Sequence, residues 1–325
     1  HFDCAQFDRT DEIASYLAMT MKKTFYSNGK LLITSEYVVL DGAIALALPT
    51  KFGQTLHVEQ GENNIITWTS FDSDGSIWFE DNIPFSSIVR KERFDDTKSV
   101  KNTLIDILHE AYLQNSNFIT QSNGYKITTE LSFPKNWGLG TSSTLINNIA
   151  QWIEIDAFQL LRNSFGGSGY DIACAQNNSA ILYQLIDNFP KVTTIDFKPN
   201  FSQNIYFVYL NKKQNSREAI AAYYNKQGDI HKVIPSFNEI TQTIISTDDA
   251  KTFAHQIQKH EIEMSEVLEL STIKEAVFED FNGVLKSLGA WGGDFIMAFS
   301  KENPTDYFKQ KGFETVLSFD EMILI

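Results

Sequence analysis

The sequence predicts an α+β protein of two domains, on three observations. Apolar periodicity shifts between two and about 3.6 residues along the chain, yet strand-like and helix-like stretches do not strictly alternate, which disfavours a doubly wound parallel sheet. The chain has 325 residues, 42% hydrophobic and 21% charged, enough for two cores of ordinary composition. A polar, proline-bearing break at Lys198, Pro199 and Asn200 parts two strand-like stretches. It sets the expected boundary, with 21–198 as the N-terminal domain and 199–325 as the C-terminal one.

Taken in order, 31–33 and 43–48 are apolar runs bounded by polar residues and glycine, and read as strands. Residues 65–69 and 76–80 flank Asp72, Ser73, Asp74 and Gly75, a hairpin signal. Trp68 and Trp78 flank that hairpin, and cross-strand packing is the stronger expectation over an adenine-pocket wall. Val100, Leu104, Ile107, Leu108 and Ala111 recur at helical spacing, predicting a helix over 99–114 with an apolar stripe. Leu145, Ile146, Ile149, Ala150 and Ile153 do the same for the next helix. Alternation returns at 180–185, 192–197 and 205–210. Helices are expected over 216–226, 236–245, 249–268, 273–288 and 305–310, with strands at 295–299 and 315–319.

Composition excludes several classes. A net charge of -14 argues against nucleic acid or an anionic membrane surface as main partner. Two cysteines, Cys4 and Cys174, make neither a disulfide framework nor a zinc pattern, so a reducing cytoplasm is the expected compartment. No apolar run approaches the roughly 18 residues that span a bilayer. Residues 1–20 lack a basic start and are interrupted by Asp3, Asp8, Asp11 and Glu12, so they do not read as a signal peptide. With Met21, Lys22 and Lys23 following, they are expected to be a non-native or disordered extension.

Residues 134–143 read Pro-Lys-Asn-Trp-Gly-Leu-Gly-Thr-Ser-Ser and run straight into the 145–153 helix. Gly138 and Gly140 around Leu139 let backbone approach a ligand closely, and the first N–H groups of the helix lack intrahelical partners. Those donors and the positive end of the helix dipole favour a phosphate, to which Thr141, Ser142 and Ser143 add hydroxyls. An ordinary capped loop is the plain alternative, and no Walker-type Gly-Lys-Ser/Thr follows.

Three other segments share this character. Residues 27–42 bring Gly29 and Lys30 into an apolar strand; 166–175 place Asp171 after a turn-forming Gly-Gly-Ser-Gly; 288–298 place glycines ahead of another strand. Together the four segments resemble the GHMP kinase superfamily, closest to its phosphomevalonate kinase and mevalonate kinase branch, from Met21 to the end of the chain. The resemblance implies an N-terminal ATP-loop domain and a ferredoxin-like C-terminal domain. It implies ATP and Mg2+, with Gly138, Leu139, Gly140, Thr141, Ser142 and Ser143 at the nucleotide and Ser142 also on the metal. Asp171 takes the place of the catalytic base and Lys30 that of the lysine beside it; an N-cap on the following helix is the plain alternative for Asp171. The chain departs from the family at Ser27 and Asn28, where Ala-Pro is usual, and at Ser35, where glycine is usual. A glutamate usual about a dozen residues before the aspartate is missing, leaving Glu154 and Asp156 as the nearest acids.

For the acceptor, the Gly-Ala-Trp-Gly-Gly-Asp of 289–294 resembles the phosphomevalonate kinase version, with Trp291 replacing a glycine. Ser168, Lys213, Ser216, Arg217, Gly292, Gly293 and Asp294 are the expected substrate residues, with Lys212 nearby. A large ring at Trp291 is expected to narrow the pocket or stack on a ligand. The expected protein is an ATP-dependent kinase of a small mevalonate-pathway acid, phosphomevalonate first, acting as a monomer or homodimer without nucleic acid or membrane. Mevalonate kinase and a non-catalytic nucleotide-binding relative are the alternatives.

Overall fold

A computed structural model describes residues 22–94, 99–213, 216–225 and 230–324, excepting the side chains of Ser216 and Arg217. The expected extension over 1–20 lies outside the described residues. The fold is mixed α and β with two sheets, as the α+β reading requires. It opens with two long paired strands, β1 (Lys23–Leu32) and β2 (Ala45–Gln60). Both outrun their apolar stretches, because ladder hydrogen bonds are indifferent to side-chain polarity. The chain gathers into two compact units.

The first unit takes 54–132 and 145–166 with the start of β1. In it β3 (Ile65–Phe71) and β4 (Ile77–Pro84) form the expected hairpin, closed by the Asp72 N–H donating to the Ser76 carbonyl and Gly75 to Asp72, both at 2.9 Å. Trp68 stands opposite Asp81, and a register slip between Ser70 and Phe71 leaves Trp78 with no residue facing it. The two tryptophans therefore do not pack across the hairpin. Trp68 is fully buried with Nε1 donating to Ser70 Oγ at 3.0 Å, whereas Trp78 lies against Phe79. Helix α1 (Phe85–Arg90) follows, then α2 (Val100–Gln114), whose Ser99 cap accepts the Asn102 N–H and whose stripe is buried at Leu104, Ile107, Leu108 and Ala111 as the periodicity predicts, while Val100 in the first turn is exposed. After α3 (Asn117–Thr120), β5 (Gly124–Leu131) lies parallel to β3 and antiparallel to the second half of β2. Helix α4 (Thr141–Ile153) begins in the second unit and runs into this one; α5 (Ala157–Ser164) is capped by the Asp156 carboxylate.

The second unit holds 28–53, 133–144 and everything from 167 onward. It begins with α6 (Tyr170–Gln176), β6 (Ile181–Ile186) and β7 (Phe189–Thr194), β6 pairing antiparallel with both β7 and Ala45–Ala47 of β2. Its other sheet contains β8 (Ile205–Tyr209), followed in the chain by α7 (Ser216–Tyr224), α8 (Ile234–Ser246), α9 (Ala250–Leu268) and α10 (Ile273–Val277). Then come β9 (Val284–Ser287), β10 (Phe295–Phe299), α11 (Thr305–Gln310), β11 (Val316–Ser318) and α12 (Phe319–Met322), giving the antiparallel order β11-β8-β10-β9. The helix expected over 273–288 stops at Val277. Gly283 turns the chain into β9, where a Cβ would meet the Phe299 carbonyl at 2.5 Å, so the Asn-Gly break overrides helical periodicity. Val208, Phe278, Phe281, Leu285, Ile296 and Phe308 form the core of this sheet. None of the described helices is long and apolar enough to cross a membrane.

Candidate active site

The glycine loop is anchored before it turns. Lys135–Trp137 makes one 3-10 turn, and the Trp137 ring meets Phe52 and Phe295 edge-on at 5.4 and 5.5 Å. Tyr209 Oη donates to the Asn136 carbonyl at 2.9 Å and Lys213 Nζ to that of Lys135 at 3.0 Å. Gly138 and Gly140 both take positive φ, 70° and 99°, and between them Leu139 is fully buried while its carbonyl accepts the Lys30 N–H at 3.0 Å. The first intrahelical bond of α4 runs from Thr144 N–H to the Gly140 carbonyl at 2.9 Å. The amides of Thr141, Ser142 and Ser143 precede it, which is the arrangement that favours an anion. Thr141 and Ser142 are half-buried; Ser143 is buried, its Oγ donating to the Gly140 carbonyl at 2.9 Å.

Lys30 and Asp171 come to the same loop. Lys30 reaches from β1, its Nζ donating to the Gly138 carbonyl at 3.1 Å and lying 5.7 Å from the centre of the Tyr170 ring. Gly169, not Asp171, is the N-cap of α6, with φ 91°. Asp171 sits in the first turn, accepting the Ile172 N–H at 3.0 Å, with Ser143, whose hydroxyl proton goes to the Gly140 carbonyl, beside it. Burial holds the Asp171 carboxyl above its ordinary range, opposed by the charge of Lys30 and by the Ile172 N–H. Burial alone would lower Lys30, but Tyr170, Asp294 and Asp171 outweigh it, so the amine is held above its ordinary value and stays an ammonium. Burial pushes the Tyr170 phenol up to about 12.

The expected acceptor residues divide. Ser168 is half-buried and its carbonyl accepts from Tyr183 Oη; Gly293 and Asp294 are buried and Gly292 exposed. Lys213 is exposed apart from its bond to the loop, and the Ser216 and Arg217 side chains lie outside the described residues. Trp291 anchors its loop: its N–H donates to Tyr37 Oη at 3.1 Å, its indole N–H to the Ser271 carbonyl at 3.2 Å, and its ring joins the cluster of Tyr37, Tyr223, Met264 and Leu268. Glu154 follows the far end of α4 from Ser142, and Asp156 is occupied as the cap of α5. Among the described residues no three acidic, histidine or cysteine side chains gather as a metal cluster. Hydroxyls of the loop together with Asp171 are hard oxygen donors that suit magnesium, which keeps waters and phosphate oxygens as most of its ligands.

Sequence reading missed a buried charge network behind the strand. Lys286, with no side-chain exposure, bonds Glu36 Oε1 and, at 2.8 Å, the Ser287 carbonyl. His260 Nε2 accepts the Ser35 N–H at 2.7 Å and lies 3.4 Å from Glu36 Oε2. Burial, with Lys286 adding, holds that histidine well below its ordinary value, so it is neutral. Ser35 and Tyr37, either side of Glu36, take φ of 63° and 62°. The departure at Ser35 thus falls on a backbone suited to glycine. The available signal was a lone lysine inside the apolar run now seen as β9.

By sequence, no family model and no curated protein matches the chain. By structure, it is similar to the mevalonate kinase of Methanococcus jannaschii, at 13% identity over 94% of this chain and 99% of that one, with a TM-score of 0.68. The phosphomevalonate kinase of Streptococcus pneumoniae, solved with phosphomevalonate and AMPPNP, matches at 15% identity over 93% and 98%, TM-score 0.64. The galactokinase of Lactococcus lactis, complexed with galactose, matches at 11% identity over 99% and 100%, TM-score 0.64. These are kinases of the GHMP superfamily, and the chain shares their fold.

Proposed function

From a chain with the GHMP kinase fold, we propose an ATP-dependent small-molecule kinase whose acceptor is a mevalonate-pathway acid, phosphomevalonate being the first candidate. The observation that carries this reading is the convergence of Lys30 and Asp171 on the glycine loop, Lys30 through the Gly138 carbonyl and Asp171 beside Ser143. Phosphoryl transfer needs placement and charge neutralisation more than covalent help, and these residues supply both. The amides of 141–143 hold phosphate oxygens, with the Gly138 to Ser143 segment as the nucleotide loop. Ser142 is the residue assigned to magnesium, whose charge, when bound, offsets that of the phosphates.

With an alcohol acceptor, Asp171 takes the hydroxyl proton, the oxygen bonds to the γ-phosphorus, and the bond to the β,γ-bridging oxygen breaks to release ADP. Lys30 faces the charge that builds on the transferring oxygens. A phosphate acceptor arrives with its oxygen already ionised and asks less of Asp171 as a base. Ser168, Lys213, Gly292 and Gly293 are proposed to line the acceptor side, with Ser216 and Arg217 added by resemblance.

The test is ADP release coupled to NADH oxidation, across phosphomevalonate, mevalonate, diphosphomevalonate, homoserine and galactose. Turnover on phosphomevalonate supports the full reading; turnover on galactose alone keeps the kinase and rejects the acid. Nucleotide binding with no turnover on any acceptor would favour the non-catalytic relative.

A further inference from the structure

Lys30 and Asp294 meet at one peptide. The Lys30 ammonium donates to the Gly138 carbonyl at 3.1 Å, and the Asp294 carboxylate fills the space that a side chain at Gly138 would need. Both carboxylate oxygens would lie 2.5 Å from a Cβ built on Gly138, far inside contact distance. Gly138 is thus glycine for a reason beyond its positive φ: an acid from the 288–294 loop is seated on it. That acid is only 8% exposed and is held in the left-handed region, at φ 53°, by two backbone bonds. Its N–H donates to the Lys212 carbonyl at 2.6 Å, and its own carbonyl accepts the Leu210 N–H at 2.8 Å.

A carboxylate drawn this far from water needs a compensating charge. Lys30, which reaches the same glycine, is one cation near enough to interact with it. The other titratable groups around Lys30 all come from α6: Tyr170 and Asp171 in its first turn and Cys174 one turn on. The ammonium therefore feels negative charge both from α6 and from the 288–294 loop.

Resting on the kinase reading above, we infer that Asp294 is a positioning residue for Lys30, its carboxylate seated against Gly138 and holding the ammonium between the glycine loop and Asp171. This differs from the acceptor contact that the sequence suggests for Asp294. It ties the fourth glycine-bearing segment to the lysine of the first through the loop of the second.

Asp294→Asn is nearly isosteric, tolerates the left-handed backbone and removes only the charge. The expected result is a fall in kcat of about tenfold or more with KM for acceptor and nucleotide changed less than about threefold, and with magnesium–ADP affinity by calorimetry unchanged. A raised acceptor KM with kcat kept would mean direct acceptor contact and overturn the inference. Tighter nucleotide binding with kcat kept would mean a competing anion and overturn it equally. A second measurement needs no turnover: thermal unfolding of Gly138→Ala, Asp294→Gly and the double variant. Gly138→Ala should cost clearly less in the Asp294→Gly background, where the clash with the carboxylate is gone; additive losses overturn the seating. Silence of the parent on every acceptor would sink the kinase reading and the positioning role with it, whereas coupling between 138 and 294 would still report the seating.

Discussion

Replacing Lys286 with methionine puts the buried charge network to a quantitative test. Lys286 has no exposed side chain and Glu36 only 2%, so the single variant leaves the Glu36 carboxylate out of water beside a neutral histidine. Removing one member of a buried ion pair costs about 3–5 kcal/mol, chiefly through the stranded charge. At about 2–4 °C per kcal/mol for a unit of this size, the melting temperature should fall by about 6–20 °C. Adding Glu36→Gln removes that stranded charge, while Glu261, which Lys286 also stabilises, keeps the N–H bonds from Ile273 and Ser287, so the double variant should recover most of the loss. The pH dependence has a definite sign. Burial already holds Glu36 above its ordinary range, with Lys286 opposing, and loss of Lys286 raises it further. A carboxyl whose folded pKa is raised destabilises the native state increasingly as pH climbs from the unfolded value towards the folded one. The deficit of Lys286→Met should therefore grow as pH rises above the ordinary carboxylate range and shrink as pH falls back towards it. Thermal and urea unfolding followed by circular dichroism over that span of pH would measure it. A deficit independent of pH, or a double variant as unstable as the single one, would show that packing rather than charge is responsible.

Other outcomes follow from the site. Asp171→Asn should lower turnover on an alcohol acceptor by about 10²–10⁴, the span of general-base catalysis, with magnesium–nucleotide affinity retained by calorimetry; equal loss of binding would make its role structural. Because burial holds Asp171 above the ordinary carboxylate range and the base works deprotonated, kcat/KM on such an acceptor should rise with pH, with a midpoint above about 3.9. A midpoint at or below that value in the rate profile would contradict the assignment. At Ser35, glycine relieves the φ of 63° but gives up the bond from Oγ to the Ile44 carbonyl at 2.7 Å, so Ser35→Gly should lie within about 1 kcal/mol of the parent. Ser35→Ala keeps the strain and loses the bond, and should be less stable than Ser35→Gly by about 1 kcal/mol or more in urea titrations.

What the sequence by itself determined is what short-range chemistry encodes. The α2 stripe with its Ser99 cap, the Asp-Ser-Asp-Gly hairpin, α9 with its Asp249 cap and the 305–310 helix are all legible because periodicity and turn residues act within a few positions. The glycine loop leading into α4 was legible for the same reason, and Lys30 and Asp171 could be named beside it through resemblance. Where local signals competed, as at 273–288, periodicity misled, because the close approach of Gly283 to Phe299 is a contact between strands rather than a local preference. The hairpin register, which sets Trp68 opposite Asp81 and away from Trp78, likewise depends on how β3 and β4 pair. Only the tertiary structure decided which distant residues share one dielectric environment. Glu36 and Lys286 lie 250 positions apart in sequence, and no local pattern marks either as the other's counter-charge. Asp294 on Gly138 is of the same kind. Burial makes such charges interact strongly, and burial is a property of the packed chain.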